Sequence, residues 1–433
     1  MNAAPTLPQQ PPGTAAATGS ARAWTVTALL VVFMMVNFAD KSVLGLAADE
    51  IRADLHLSAT EFGLANSAFF LLFSAAAVLV GLLADRVPPK VLLLAMALLW
   101  SVAQAPAAIG GGLAVLVTSR VVLGAAEGPA FPVAQQATLS WFPDHRRNLP
   151  SALITLGVTL GVIVSAPGLS WVIRNHGWRS ALWVLAAIGL VWALAWSVLG
   201  ADGRHRPDGE PAVRTAGPSG PPAAVPYRKI FGSPTWIGAT AAYFTSYWTV
   251  ALMLVWLPSY LRNALDHPAD TAAVLVVAPW TIGAVVLLAQ AVLTGRLMRR
   301  GVGSRTARGR VGGWILALGA ACLLAQTLVD GSTAKTVLVA LGFGLGGSYA
   351  TIAVTTVAEL APPGRSGGSL GVMNAVVTAA GLVAPAVVGA LVDAQGDTGY
   401  HTAVLLSGLL LAVGAAASFL LIDPARDIAR LGR

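Results

Sequence analysis

The sequence predicts an all-α polytopic membrane protein, with twelve transmembrane helices arranged as two bundles of six. Three observations carry that expectation. The 433 residues are 56% hydrophobic and only 11% charged, apolar stretches long enough to cross a bilayer recur along the whole chain, and one long polar segment interrupts them at the middle. A bilayer core of about 30 Å needs roughly 20 apolar residues per helical crossing. A dozen crossings therefore use most of this length and leave little for a soluble domain.

Residues 1–22 are rich in Pro, Ala, Gln, Gly and Thr, with Arg22 as their one charge. They lack a basic start followed by a short apolar core and a cleavage site, so they read as an unstructured tail and not as a signal peptide. The first bundle, 23–200, carries apolar segments at 23–46, 60–83, 90–109, 113–137, 149–172 and 179–200. A linker follows at 201–233, where the run ADGRHRPDGEPAVRTAGPSGPPAAVPYRK has too much Gly, Pro and charge to build a core. The second bundle, 234–422, repeats the pattern at 234–260, 271–295, 311–329, 335–358, 367–391 and 400–422, and residues 423–433 form a short tail. Six segments, a linker and six more predict two bundles related by an axis along the membrane normal, with a cavity between them.

Lys and Arg collect in loops that stay in the cytoplasm. With the N-terminus inside, twenty of the 27 basic residues fall on the cytoplasmic side and five on the other, Arg52, Arg174, Arg179, Arg262 and Lys335. The remaining two, Lys41 and Arg120, lie within helices. Both termini are therefore expected in the cytoplasm, in an inner membrane whose lipid is the main surrounding partner.

The net charge of +8 is spread over short loops and forms no continuous patch, which excludes a nucleic-acid partner. Cys322 is the single cysteine and sits in an apolar run, so a disulfide framework is impossible within one chain. His56, His145, His176, His205, His267 and His401 all fall in loops or at helix ends, which argues against a metal cage or a buried histidine relay. No Gly-rich phosphate loop or nucleophile triad is present. The reading is a monomeric carrier, not an enzyme, with no cofactor and no metal, and with the proton as coupling ion.

Four charges stand out because each lies inside a bilayer segment, where an ionised side chain costs about 2.5–3.5 kcal/mol even on the gentler scales. They are Asp40 and Lys41 in the first segment and Arg120 and Glu127 in the fourth. At 1.5 Å per residue Glu127 lies about 21 Å into its helix, near the midplane. Arg120, two turns nearer the outside on roughly the same face, matches Asp40 in depth, so an Asp40–Arg120 pair is expected. A buried carboxylate with a movable cationic partner changes its protonation state as that partner is engaged or withdrawn. Glu127, with Lys41 as that partner, is thus the first candidate for proton coupling, and Asp40 the second. An anion that occupies Lys41 would favour proton uptake by Glu127. The plainer alternative is a salt-bridge network that only locks the first bundle.

Motifs sharpen this reading. The run GLLADRVPPK, Gly81 to Lys90, resembles the G-x-L-A-D-R-x-G-R-K signature of the major facilitator superfamily. The resemblance implies the major facilitator fold and a cytoplasmic gating role for Gly81, Asp85, Arg86 and Lys90; Pro88 and Pro89 replace the usual Gly-Arg. The matching turn after the eighth segment keeps only Gly295 and its basic character. NFADKSVLGLAADEI in the first segment and RVVLGAAEGPAFP in the fourth are similar to the anion:cation symporter family within that superfamily. That family takes up organic anions such as sugar acids together with protons. Its motifs normally read Asp-Arg, and Arg followed seven residues later by Glu-Gly-Pro; here they read Asp40-Lys41 and Arg120 with Glu127-Gly128-Pro129. Asn374 and Pro385 also fall where the family has similar residues.

The resemblance implies proton-coupled uptake of a small organic anion, a carboxylate, by alternating access, with Lys41 and Arg120 facing the anion. Two departures bear on the substrate. Lys lacks the planar fork with which Arg grips a carboxylate, and Phe73 and Ala77 stand where the family often has Tyr and Gln. Fewer hydroxyl-recognising groups favour a more apolar or aromatic carboxylate over a polyhydroxylated sugar acid. The second half has no charge in mid-helix, so neutral residues are its candidates for the organic body: Tyr243, Tyr247 and Trp248 in the seventh segment, then Gln290, Ser348 and Asn374. GVTLGVIVSAPGLSW in the fifth segment partly resembles the motif of drug/proton antiporters, which leaves efflux of an organic acid or natural product as the alternative direction. Gly157, Gly161 and Pro167 there also serve tight packing and a kink. A non-transporting membrane receptor is the remote third reading, disfavoured because no soluble sensory domain is present.

Overall fold

The computed structural model describes residues 15–83, 87–142, 148–203, 225–362 and 365–431. Eleven helices among them are long and apolar enough to cross a bilayer. In chain order, and counting one bent pair as the twelfth, the crossings are α1 (Ala15–Leu46), α2 (Ala59–Leu83), α3 (Pro89–Ile109), α4 (Leu113–Leu139), α5 (Asn148–His176) and α6 (Trp178–Leu199). The second half holds α7 (Pro234–Val255 with Leu257–Ala264), α8 (Ala269–Arg299), α9 (Arg305–Ala325), α10 (Ser332–Leu360), α11 (Ser366–Gln395) and α12 (Thr398–Leu421). Exposed Val191, Leu194 and Val198 recur along one face of α6, a spacing that suits a lipid-facing stripe.

Several boundaries differ from those read in the sequence, each for a local reason. Helix α1 starts at Ala15, because AAATGSARA is rich in good helix formers. The seventh crossing bends by 62° between Val255 and Leu257, where Pro258 removes a backbone donor and a π-helical turn spans Tyr260–Ala264. The C-terminal tail is not loose. Its short helix Pro424–Arg430 folds back so that Asp427, 1% exposed, accepts from the Thr235 amide at 2.8 Å. The carboxylate thus satisfies an orphan N–H at the N-terminal end of α7.

Within the first half, α5 lies close against α1. A Cβ on Gly161 would come 2.5 Å from the Met35 carbonyl, and one on Gly157 2.8 Å from that of Val31, so small residues let the two backbones approach. Phe33 packs against Trp100 and Trp192 in the interior, with ring centroids 4.7 Å apart in each case.

The halves meet along α2 and α11, α5 and α8, and α1 and α7. With twelve crossings both ends of the chain lie on one face; the opposite face is called distal here. The α2–α11 contact is antiparallel, and near the distal face Asp393 of α11 accepts from the Ala59 and Thr60 amides at 2.8 and 2.7 Å. The first turn of α2 is therefore capped by the other half. Beside it, Asp49 accepts from Ser259 and Asn263 at 3.1 Å each, and Arg262 reaches Glu50 at 2.8 Å and Asp49 at 3.5 Å. Arg174 pairs with Asp270 across the α5–α8 junction.

Nearer the middle, Ser74 and Thr378 share a hydrogen bond of 2.6 Å. Further toward the terminal face the same stripe of α11 reaches Asn374, which is exposed, and Gly371, around whose missing side chain there is open space. The halves are sealed at the distal face and part toward the terminal face, leaving a crevice.

Candidate functional site

The site is assembled by α1, α2, α3 and α4, and glycine makes the assembly possible. A Cβ on Gly124 would stand 1.8 Å from the Phe69 carbonyl, and one on Gly128 2.1 Å from that of Phe73. Only glycine at both positions lets α2 lie against α4. Pro129 then interrupts α4, because it has no N–H to donate and its ring crowds the carbonyl one turn back. Glu127 is held just before that break, and the rings of Phe69 and Phe73 are brought alongside the charges.

All four intramembrane charges are buried, with Asp40 0%, Lys41 5%, Arg120 4% and Glu127 1% exposed. Lys41 Nζ lies 2.9 Å from Glu127 Oε2 and donates to Asn37 Oδ1 one turn back on α1. Its ammonium also sits 4.6 Å from the Phe38 ring centroid, 5.5 Å from Phe73 and 5.6 Å from Phe69. Three aromatic faces and a carboxylate compensate a desolvated cation.

Asp40 and Arg120 do not form the expected ion pair. Asp40 instead accepts from Gln104 Nε2 of α3 at 3.1 Å, while the Arg120 guanidinium lies 4.7 Å from the Phe69 ring centroid. The two side chains line a common cavity together with Gln104 and Ser119. Matching depth brought them to the same level, and the orientation of α4 set Arg120 against the aromatic ring. Two acids and two bases give the cluster no net charge, and a mobile anion entering it would compete with Glu127 for Lys41.

Other residues singled out in the sequence fall in three places. Phe73, Tyr243 and Tyr247 are partly exposed and connect through Phe70, whose centroid is 5.7 Å from that of Phe73 and 6.1 Å from that of Tyr247. They form an aromatic wall joining the halves beside the charges. Asn374 faces the crevice one turn from Thr378, whose hydroxyl donates to the Asn374 carbonyl at 2.9 Å. Trp248, Gln290 and Ser348 turn into the second half. Trp248 donates to Ser407 at 3.2 Å, and Gln290 donates to the Ser348 carbonyl at 2.5 Å.

Of the basic turn, Gly81 lies in the last turn of α2, and Asp85 and Arg86 lie outside the described residues. Lys90 donates to the Ser197 carbonyl at 3.1 Å and accepts from Trp196 at 3.0 Å, tying α3 to the end of α6. No group of three or more His, Cys, Asp or Glu that could hold a metal ion occurs among the described residues.

Sequence reasoning missed Asn37, Gln104 and the distal seal. A lone Gln within the apolar run WSVAQAPA was a usable signal for Gln104. Asp49, Glu50, Arg262 and Asp393 gave none, because charges at helix ends are ordinary.

Two six-helix halves around a crevice, with a charged cluster buried beside it, define a secondary transporter of the kind built on paired bundles. The chain belongs to the Major Facilitator Superfamily, whose sequence pattern matches residues 30–367. It is 30% identical over 416 residues to a probable sulfoacetate transporter of Cupriavidus necator, covering 92% of this chain and 93% of that one. It is 27% identical over 409 residues to a hexuronate transporter of Bacillus subtilis, covering 92% and 94%. Among solved structures, a bacterial homologue of the human lysosomal transporter Spinster, in an inward-facing and unoccupied conformation, superposes with a TM-score of 0.77. That match has 17% identity and covers 95% of this chain and 98% of the other. The chain is a multi-pass membrane transporter and not an enzyme.

Proposed function

We propose that this transporter takes up a small organic anion together with protons, and that it does so by alternating access between its two halves. The observation that carries the reading is the Lys41–Glu127 pair, 2.9 Å apart and buried, in a cluster of equal positive and negative charge. A carboxylate arriving at Lys41 displaces Glu127, and the displaced carboxylate, left in a desolvated site, takes a proton. Anion and proton then load together, and the proton on Glu127 offsets the charge of the anion at Lys41. Asp40 serves as the second proton carrier and Arg120 as the second anion-facing cation.

The named substrates of the relatives above, sulfoacetate and hexuronate, are both organic anions, which supports the substrate class. Phe38, Phe69 and Phe73 around Lys41 favour a compact anion with few hydroxyl groups. Tyr243, Tyr247 and Asn374 would shape its organic body from the second half. The sealed distal face and the open terminal face fit a resting state open to the cytoplasm, with both termini inside an inner membrane, in a protein that works as a monomer.

The test is reconstitution into vesicles with an imposed inward acid gradient, offering short sulfonated and hydroxylated acids, sugar acids and aromatic acids side by side. Acid-stimulated accumulation of one class is expected. Glu127→Gln should abolish accumulation against a gradient while retaining exchange of labelled for unlabelled anion. A Glu127→Gln protein that still concentrates its substrate, or a parent protein indifferent to the acid gradient, would refute the coupling.

A further inference from the structure

A small cavity lies between α1, α3 and α4, and its polar lining is incomplete. Five buried side-chain atoms around it have no hydrogen-bond partner among the described residues: Asp40 Oδ2, Gln104 Oε1, Ser119 Oγ, and Arg120 Nε and Nη1. All four residues line the cavity, whose remaining wall is apolar and includes Leu116, Leu123 and Leu182 of α6. Unpartnered buried polar atoms are costly, about 1–3 kcal/mol each, and so many converging on one small space call for a shared polar partner. The space holds roughly one water molecule.

Charge and valence select the ligand. A cation would meet the Arg120 guanidinium and an anion the Asp40 carboxylate, whereas water carries no charge, donates twice and accepts twice. We propose that this cavity binds one water, donating to Asp40 Oδ2 and Gln104 Oε1 and accepting from Arg120 and Ser119, so that Asp40 and Arg120 are joined through water instead of by a direct ion pair.

Gln104 is then a positioning residue. Its amide nitrogen donates to Asp40 Oδ1 at 3.1 Å, which leaves its own oxygen for the water and sets that molecule's orientation. A proton arriving on Asp40 Oδ2 turns this acceptor into a donor, and the water must rotate to receive it. The site therefore links the protonation of Asp40 to the hydrogen bonding of Arg120. The charged groups that act on Asp40 are Lys41 on its own helix and Arg120 and Glu127 on α4; from α3 it meets Gln104, and from α6 only apolar Leu182 reaches the cavity.

The test is infrared difference spectroscopy of the reconstituted full chain between alkaline and acid pH, in ordinary water and in water enriched in oxygen-18. It reads the site without transport, so its outcome is independent of whether Glu127 couples uptake to protons. The protein should show a carboxyl band absent from Asp40→Asn, and a bound-water O–H band that shifts with oxygen-18. Ser119→Val, which fills the cavity, should remove the water band, and Ser119→Thr should keep it. Gln104→Leu should displace the Asp40 midpoint by about one pH unit, the size expected when a hydrogen bond to a charged group is lost. Should Ser119→Val not be monodisperse, Ser119→Ala should still shift the water band in frequency. A water band untouched in the Ser119 variants, or an Asp40 midpoint unmoved in Gln104→Leu, overturns the proposal.

Discussion

Replacing Arg262 by alanine tests whether the distal seal sets the balance between the two access states. The guanidinium is 2.8 Å from Glu50 and 3.5 Å from Asp49, joining the end of α7 to the short helix Ala48–Leu55 that follows α1. Arg262, Asp49 and Glu50 are each 22–29% exposed in their side chains, so solvent screens both pairs and each contributes about 0.2–1 kcal/mol. Asn263 still holds Asp49 in the variant. The expected loss is thus about 0.4–2 kcal/mol, which raises the population of the distal-open state about 2- to 30-fold. Ser259 is 1% exposed and bonded across the seal, which makes Ser259→Cys a reporter of opening once Cys322 has been changed to serine. Its maleimide labelling should accelerate about 2- to 30-fold in Arg262→Ala. A rate unchanged within twofold would refute the argument. So would an equal acceleration at Asn374→Cys in the crevice, since that would indicate general loosening.

Two further outcomes follow from the same geometry. Lys41→Met leaves the Glu127 carboxylate buried without its cation and should cost about 3–5 kcal/mol of stability; adding Glu127→Gln should recover most of it, and additive losses in thermal unfolding would contradict the pairing. At the tail, burial pushes the Asp427 carboxyl up, but hydrogen bonds from Arg426 and Thr235 outweigh it and hold the group below the usual carboxylate range. Such a group contributes fully above the unfolded carboxylate value of about 3.9 and loses its contribution as pH falls through the lower folded value. Asp427→Asn should therefore unfold at lower temperature than the parent at pH 7, and the difference should shrink below about pH 4; a difference independent of pH would exclude the mechanism.

Much of the architecture was legible because a membrane imposes so strong a pattern. Runs of about 20 apolar residues have few alternatives to crossing helices, and the polar segment after Leu199 divides the chain wherever the crossings are drawn. The same rule of cost singled out Asp40, Lys41, Arg120 and Glu127, since an ionised group within such a run requires a reason. Boundaries were less legible where the chain is helical without being apolar, as at Ala15–Arg22 and Pro424–Arg430.

The sequence by itself determined which helices exist and how deep each charge lies, because rise per residue converts position into depth. Tertiary structure decided the partners. Asp40 and Arg120 share a level, yet Asp40 meets Gln104 and Arg120 meets Phe69, because contact also depends on the rotation of each helix about its axis. That rotation is set by packing, here by Gly124 and Gly128 seated against the backbone of α2. The distal seal lay further still from view, since Asp49 and Arg262, or Thr60 and Asp393, meet only when the two halves of the chain are brought together.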